Sequence, residues 1–335
     1  MSIGRKSGIV LIVLGALGVL VFVSCNDSDS LGTSEEAHEE EAIKMGYLPM
    51  VSSLTYFVAL EQQFFSDAGL SVKGIPFTTS NKIAASLDAG DIDIGVELAV
   101  IPLLNQLKPG KEARAGFRIF STSLIEAHNG FDSVVVAKDS TVKALKDLAG
   151  EKVAVFPGST ATNTLLEVFR RQFPKLAAPI PLVMAPALHI AAVERGEVVA
   201  AHAYEPFLSE GIVKHQMRRI ATSLYAEQVS PNPIGVAAVN LEFLRDRRER
   251  AILAIRALDR AANFVEKYPD MARMIISEYT GTESDVAAVV NIMPMSMSKD
   301  VDTDGLAEYA KVLMSMGEIL FEPDVGKIVF SAPED

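Results

Sequence analysis

Cysteine, tryptophan and positive charge are the scarce components of this 335-residue chain. The chain has no tryptophan and one cysteine. Because it has a single cysteine, it can form no internal disulfide, no thiolate zinc site and no iron–sulfur cluster. Lys and Arg number 31 against 43 Asp and Glu, a formal net charge of −12, which argues against a nucleic-acid-binding protein held by phosphate contacts. We therefore expect no metal, no cofactor and no nucleic-acid partner.

Hydrophobic residues are plentiful at 49%, and 22% of the residues are charged, which is typical of a folded globular chain. The length exceeds what one hydrophobic core usually organises. About two domains are therefore expected after any targeting segment is removed.

The amino terminus predicts such a targeting segment. Two basic residues precede an uncharged apolar run at residues 8–23, which is shorter than the roughly 20 residues needed to span a bilayer. Small residues then lead to the lone Cys25, a pattern that resembles the lipobox of bacterial lipoproteins, although Phe22 stands where a lipobox usually has Leu. The resemblance implies a signal peptide at residues 1–25, cleaved before a lipid-carrying Cys25. The alternative is an uncleaved anchor helix, and both place the chain outside the cytoplasm at a membrane surface.

Residues 26–42 predict an acidic tether. They include seven Asp and Glu but no Lys or Arg, so the segment repels itself and stays solvated. Such a tether gives the folded part reach from the membrane.

Beyond residue 42, short apolar runs alternate with amphipathic patterns, which is the rhythm of β-α-β units. Valine-rich runs such as residues 134–136 and 153–156 predict strands buried on both faces, as in parallel sheets flanked by helices. The C-terminal part predicts mostly helices. The predicted strands are 42–47, 70–77, 92–96, 118–123, 133–137, 152–156, 180–184 and 198–204, and the predicted C-terminal helices include 285–293 and 306–316.

A weak internal repeat points to two similar α/β halves. KMGYLP at residues 44–49, with the serines after it, parallels KVAVFP at residues 152–157, with the small hydroxyl residues after it. DAGDI at residues 88–92 parallels ERGEV at residues 194–198 at nearly the same offset. Each half therefore predicts a strand that turns through small hydroxyl residues into the start of a helix.

The turn at residues 157–162 suits a ligand site. Helix N termini at the carboxyl ends of parallel strands have unpaired N–H groups and a positive dipole end. Gly158 permits close backbone approach, and Ser159, Thr160 and Thr162 add donors without bulk or fixed charge. The alternative is that Ser159 or Thr160 only caps the helix.

Three segments together resemble a known family. They are QFFSDAGL at residues 63–70, GDIDIG at 90–95, and DSTVKALKDLAGEKVA at 139–154, which PGST follows at 157–160. In combination they are similar to the solute-binding proteins of ABC importers, in the branch that serves nitrate, sulfonates, taurine, bicarbonate and thiamine-pyrimidine precursors. The resemblance covers roughly residues 43–267.

The resemblance implies an α/β, two-lobed periplasmic-binding-protein fold of type II, with two crossover strands and a mostly helical C-terminal region. Lobe 1 is expected at residues 43–132 plus 236–335 and lobe 2 at 133–235. The PNP run at residues 231–233, poor for a helix or a strand, supports the second crossing. Hinge closure over one small-molecule solute is expected to create the surface that an ABC permease and its ATPase subunit recognise. The chain itself is expected to be an extracytoplasmic monomer, attached to the membrane through lipid on Cys25.

Candidate solute contacts come from the strand-to-helix turns, and no catalytic residue is assigned. For each candidate the alternative is a local cap, a turn or a polar group of the core. Tyr56 fits the core, His202 fits a hydrogen-bonded buried histidine, and Glu205 fits a cap of the next helix. The candidates are Ser52, Ser53, Tyr56, Thr79, Ser80, Asn81, Glu97, Gly158, Ser159, Thr160, Thr162, His202, Tyr204 and Glu205.

The charges of these turns bear on the solute. Apart from Lys82 they carry no Arg or Lys, while Glu97 and Glu205 are carboxylates that can face inward. A doubly charged anion attracts guanidinium or ammonium partners, and neighbouring carboxylates raise its energy. Helix N termini hold a monoanion unaided. The residues therefore favour, modestly, a neutral or amine-bearing solute over a sulfonate.

Two other functions remain open. A thiamine-pyrimidine-synthase-like enzyme has the same lobes, but such enzymes depend on cysteines and a histidine cluster, and this chain has no HExxH or GxSxG motif. A solute sensor for a membrane receptor fits the sequence as well as an importer component does. The chain has no P-loop, so any energy for transport must come from a partner.

Lipid attachment to Cys25 leads to the first prediction. When cells expressing the full chain are fed labelled palmitate, the wild-type protein is expected to carry the label and Cys25→Ala to lose it, because the thiol is the acceptor. Equal labelling of the two proteins would contradict the lipoprotein interpretation.

Overall fold

The computed structural model describes residues 41–333, so Cys25, the predicted signal peptide and most of the predicted tether lie outside the described residues. Within this part of the chain, ten strands form two five-stranded sheets. The strands are β1 Ile43–Tyr47, β2 Val72–Pro76, β3 Ile94–Ala99, β4 Phe117–Ile125, β5 Asp132–Val136, β6 Lys152–Val155, β7 Ile180–Val183, β8 Ala200–Tyr204, β9 Arg218–Thr222 and β10 Asn232–Asn240.

The two sheets have the same strand arrangement. The first has the order β2-β1-β3-β10-β4 and the second β7-β6-β8-β5-β9. In each, three neighbouring strands are parallel, and the fourth, β10 or β5, is antiparallel to both of its neighbours. The chain passes from the first sheet to the second between β4 and β5, and returns between β9 and β10. Strands β1 and β6 take the same place in their sheets, in agreement with the internal repeat.

Helices follow most of the parallel strands and make up most of the C-terminal region. In the described part of the chain they are α1 Leu54–Glu61, α2 Phe64–Asp67, α3 Ser80–Ala89, α4 Val100–Leu104, α5 Ser159–Gln172, α6 His189–Glu194, α7 Phe207–His215, α8 Leu241–Asp246, α9 Arg248–Lys267, α10 Pro269–Thr280, α11 Ser284–Ala287 and α12 Thr303–Ser315.

Each sheet has a hydrophobic core on both faces. On the first sheet, α1, α9 and α10 contribute to one core and α3, α4 and α12 to the other. On the second sheet, Val134 and Val136 of β5 face the core that contains Leu165 of α5, and Val135 faces the core that contains Ile190. This alternation is the two-residue period of a strand, and it confirms that the valine-rich run is a strand buried on both faces.

Three elements differ from the sequence-based expectations. Strands β9 and β10 were not among the predicted strands. Strand β10 begins at Asn232, within the PNP run that was expected to be poor for a strand. Pro233 has no N–H, but it lies at an irregularity of the strand register, where a proline is tolerated. The helix predicted at 285–293 ends at Ala287, and the chain then extends along β4, where the Leu124 N–H donates to the Pro294 carbonyl over 2.9 Å.

Within residues 41–333, no helix is both long enough and apolar enough to cross a bilayer.

The core of the second sheet can be tested through Phe169 of α5, whose side chain is buried against β5, β6 and β8. Phe169→Ala is expected to lower the free energy of unfolding by about 3–5 kcal/mol, because it removes a buried ring and leaves a cavity. Urea unfolding followed by circular dichroism measures this loss. Arg170→Ala, on the exposed side of the same helix, is the control and should change the free energy by less than about 0.5 kcal/mol.

Candidate functional site

The turn between β6 and α5 has features that suit the binding of an anion or of the negative end of a dipolar molecule. Gly158 precedes the helix with φ of 112°, a conformation that only glycine adopts readily, and it offers no side-chain cap to the first turn. Ser159 is exposed, and Thr160 and Thr162 are half-buried. The Thr162 hydroxyl is shielded from solvent and has no hydrogen-bond partner. The helix therefore begins with several polar groups available for hydrogen bonding.

A carboxylate from the first-sheet side contacts this turn. Oε2 of Glu318, three residues after α12, accepts hydrogen bonds from Ser159 Oγ (2.6 Å) and Thr160 Oγ1 (3.4 Å), and its Oε1 accepts one from Asn163 Nδ2. Neither Glu318 nor Asn163 was identified from the sequence. Their contact joins residues 155 positions apart, and no local sequence pattern signals such a pair.

A series of hydrogen-bonded polar side chains is buried at the neighbouring strand β8. His202 is fully buried, and its Nε2 lies 2.8 Å from Oδ2 of Asp132, an arrangement in which Nε2–H donates. His202 Nδ1 then accepts from the Tyr204 hydroxyl at 3.4 Å, and the hydroxyls of Tyr204 and Tyr225 lie 3.1 Å apart. The Tyr204 ring also meets Phe156 edge to face, at 5.6 Å between centroids. His202 therefore positions Tyr204 beside the β6–α5 turn.

Burial affects the ionisation of the tyrosines in this chain. Loss of water around Tyr204 raises the pKa of its phenol well above the usual value, and burial also raises the pKa of Tyr225. Both side chains are thus neutral hydrogen-bonding groups at physiological pH. Asp132 and Tyr225 were not identified from the sequence, since each is distant from His202 along the chain.

Glu205 is fully engaged by protein groups. Its side chain is buried and accepts hydrogen bonds from the N–H and hydroxyl of Ser209 and from the N–H and amide of Asn291, at 2.7–3.1 Å. Burial raises the pKa of this carboxyl, although the hydrogen bonds oppose the shift. Glu205 thus binds the first turn of α7 and joins it to the C-terminal segment.

The candidates in the first sheet make local contacts. Ser53 Oγ accepts from the Leu48 N–H at 3.2 Å, Thr79 Oγ1 accepts from the Lys82 N–H at 3.4 Å, and Ser80 Oγ accepts from the Ala99 N–H at 3.0 Å. Ser52 is half-buried and Asn81 is exposed. Ser53 and Thr79 therefore stabilise the turns after β1 and β2, and Ser80 joins the start of α3 to the end of β3.

Tyr56 lies in the hydrophobic core beneath α1. Its ring is 4.9 Å from that of Tyr47 and 6.3 Å from that of Phe65, and the side chain is 3% exposed. Desolvation raises the pKa of its phenol.

Glu97 points into the first-sheet interior. It is 3% exposed, has φ of 52°, and its Oε2 accepts a hydrogen bond from the Ser123 hydroxyl, while Oε1 has no partner. Glu97 lines a small cavity of about 10 Å³, a size that accommodates about one water molecule. Its lining is mainly apolar but includes the polar side chains of Thr55, Ser121, Asp259 and Ser296. Desolvation raises the pKa of Glu97 to about 8, so the carboxyl is protonated at neutral pH.

The predicted residues thus fall into three groups. Gly158, Ser159, Thr160 and Tyr204 lie together where β6 and β8 end, with His202 and Glu205 buried beside them. The hydroxyl residues after β1 and β2 support local turns. Tyr56 and Glu97 are inside the first-sheet body. In the described part of the chain, no cluster of three or more His, Cys, Asp or Glu side chains has a geometry that fits a metal ion.

A model of the NMT1-like family matches residues 36–279, most of the chain. The chain belongs to the NMT1-like family. Two relatives carry the name "Putative aliphatic sulfonates-binding protein". One, from Escherichia coli K12, is 25% identical over 252 residues, which are 69% of this chain and 76% of the relative. The other, from Bacillus subtilis 168, is 23% identical over 274 residues, which are 80% and 77% of the two chains.

Structural comparison of this NMT1-like protein bears on its fold. The crystal structure of the periplasmic aliphatic sulphonate binding protein of Escherichia coli superposes with a TM-score of 0.71 at 18% identity, covering 88% of this chain and 94% of that one. The expected α/β, two-lobed periplasmic-binding-protein fold is therefore confirmed.

Glu97 gives a pH-dependent prediction. Its carboxyl ionises near 4.5 in the unfolded chain but near 8 in the folded protein. The folded state therefore binds the extra proton between these values, and stability falls as pH rises through that window, by up to about 1.4 kcal/mol per pH unit. Below pH 4.5 the stabilisation that comes from the protonated Glu97 is fully present. Above pH 8 this group no longer changes the free energy of unfolding.

The test compares wild type with Glu97→Gln, which stays uncharged, by urea unfolding at pH 5, 6, 7 and 8. The variant is expected to gain stability relative to wild type as pH rises. Glu308→Gln, at an exposed position of α12, should show a constant difference from wild type. If Glu97→Gln also shows a constant difference, the buried carboxyl is ionised in the folded protein.

Proposed function

We propose that this NMT1-like protein is the extracytoplasmic solute-binding receptor of an ABC importer. The observation that carries the proposal is the β6–α5 turn, where Gly158, Ser159 and Thr160 and the neighbouring Tyr204 hydroxyl surround a helix start that has no side-chain cap. Such a helix start attracts the polar end of a small molecule. The names of the sulfonate-binding relatives support the same kind of ligand.

The solute class that we propose is a small organic or oxyanion solute of the nitrate, sulfonate, taurine or pyrimidine type. The relatives' names favour an aliphatic sulfonate. The residues of this chain favour, within that range, a neutral or amine-bearing solute, because the turns after β1, β2, β3, β6 and β8 include one cation, Lys82, which is exposed. An aminoalkanesulfonate would meet both conditions.

Hinge closure is part of the proposal. The bodies around the two sheets would move about the two connections, residues 126–131 and 223–231, which are hydrogen-bonded to each other: the Gly130 N–H donates to Ser223 Oγ at 3.2 Å. We propose lobes close to 43–132 plus 236–335 and 133–235. The pairing of β10 with β4 from Asn232 onwards supports a second boundary near that residue. Closure would bury the solute and present a new surface to the permease and its ATPase subunit.

We propose binding rather than turnover as the activity. The relatives are named as binding proteins. The Asp132–His202 pair, which could act as an acid–base unit, is fully buried and takes part in structural hydrogen bonds. A receptor of this kind would be held outside the cytoplasm by lipid on Cys25.

The turn can be tested with a matched pair of glycines. Gly158 and Gly150 both have positive φ, and a Cβ at either would meet no atom within 4 Å. Alanine at either position strains the backbone, but Gly158→Ala alone displaces the proposed binding turn. Binding is measured by calorimetry with the mature chain against ethanesulfonate, 2-aminoethanesulfonate, nitrate, bicarbonate and an aminopyrimidine.

Wild type is expected to bind at least one of these compounds, Gly158→Ala to bind it at least tenfold more weakly, and Gly150→Ala to stay within twofold of wild type. Equal losses in the two variants would place the solute elsewhere. Turnover of a bound compound by the wild-type protein would favour an enzyme instead.

A further inference from the structure

The contact between Glu318 and the start of α5 joins the bodies around the two sheets. Helix α12, which leads to Glu318, packs on the first sheet through the core that contains Leu313 and Ile319. Helix α5 packs on the second sheet through Leu165 and Phe169. The three hydrogen bonds to Ser159, Thr160 and Asn163 therefore connect two separate cores through one carboxylate.

The backbone of Glu318 is held firmly on the first-sheet side. Its N–H donates to the Leu313 carbonyl at 2.9 Å, and its carbonyl accepts from Asn105 Nδ2 at 3.2 Å. The next residue, Ile319, is buried. Two residues earlier, the Met316 sulfur accepts from Gln228 Nε2 at 3.2 Å. These contacts fix the position from which the half-buried side chain reaches α5.

The electrostatics of the contact resemble those of a bound anion. Helix α5 has 14 residues, and its N-terminal end carries a partial positive charge that a carboxylate stabilises. Among the hydrogen bonds and ion pairs of residues 41–333, none joins Glu318 to Lys or Arg. A second anion at this helix start would therefore be repelled by a carboxylate that pairs with no Lys or Arg of the described residues, and a protonated amine would meet a carboxylate acceptor.

We propose that Glu318 determines the charge of the accepted solute: its carboxylate occupies the hydroxyl and amide donors at the start of α5, so that a purely anionic solute has to displace it and an amine-bearing solute gains a partner. This inference rests on the proposed solute-binding function. It names the substrate class as a small molecule with a protonated amino group.

The test uses two probes that differ in one amino group, ethanesulfonate and 2-aminoethanesulfonate, and calorimetry on the mature chain. Glu318→Gln keeps the shape of the side chain and removes its charge. Glu308→Gln, an exposed change on α12, the helix that leads to Glu318, removes the same charge away from the site. Glu318→Gln is expected to strengthen ethanesulfonate binding at least tenfold and to lower the preference for 2-aminoethanesulfonate at least tenfold, while Glu308→Gln stays within twofold of wild type.

A second measurement does not depend on the probes. In the ligand-free protein, hydrogen exchange of the amides at residues 159–163 is expected to be at least tenfold faster in Glu318→Gln than in Glu308→Gln, because the helix start loses its charged acceptor. If wild type binds a probe but the preference is the same in Glu318→Gln, the inference is wrong and the solute-binding proposal stands. If neither probe binds while another of the proposed solutes does, the inference is wrong and the solute-binding proposal stands. Equal exchange rates in the two variants would also overturn the inference, because Glu318 would then not act on the helix start.

Discussion

Asp132 connects the two places where the chain crosses between the sheets. Its carbonyl accepts from the Ser223 N–H, and its Oδ2 accepts from the Leu224 N–H and lies 2.8 Å from His202 Nε2. One buried residue at the start of β5 thus fixes the return connection and the imidazole of β8. Because His202 in turn positions the Tyr204 hydroxyl, the geometry of the candidate site depends on the same residue that holds the two crossings together.

The candidate site combines elements from both sheets. The strand order and the uncapped turn after β6 are those of a fold whose ligands bind at the carboxyl ends of parallel strands. Glu318 comes instead from the C-terminal region, on the first-sheet side. Its carboxylate adds a negative charge beside the turn, and the proposed preference for an amine-bearing solute rests on that charge.

Much of the fold was predictable because its signals are local. Short apolar runs, several of them rich in valine, identified most strands, and the repeated turn motifs identified the equivalence of the two halves. Strand β9 was missed because its residues, with two arginines, are only partly buried and show no apolar pattern. The helix expected at 285–293 has the right periodicity, but Asn291 forms stronger tertiary contacts with the buried Glu205. In the site, the β6–α5 turn was predicted from glycine and hydroxyl residues, whereas Glu318, Asn163 and Asp132 act through contacts over 70 or more positions, which no single-sequence pattern encodes.

The extended segment that follows α11 is a third connection between the bodies around the two sheets. Asn291 is hydrogen-bonded to Glu205 just before α7, and three residues later the Pro294 carbonyl accepts from the Leu124 N–H of β4. In the proposed hinge closure, this attachment would restrict the relative motion of the two bodies. Less conformational entropy would then be lost when a solute binds.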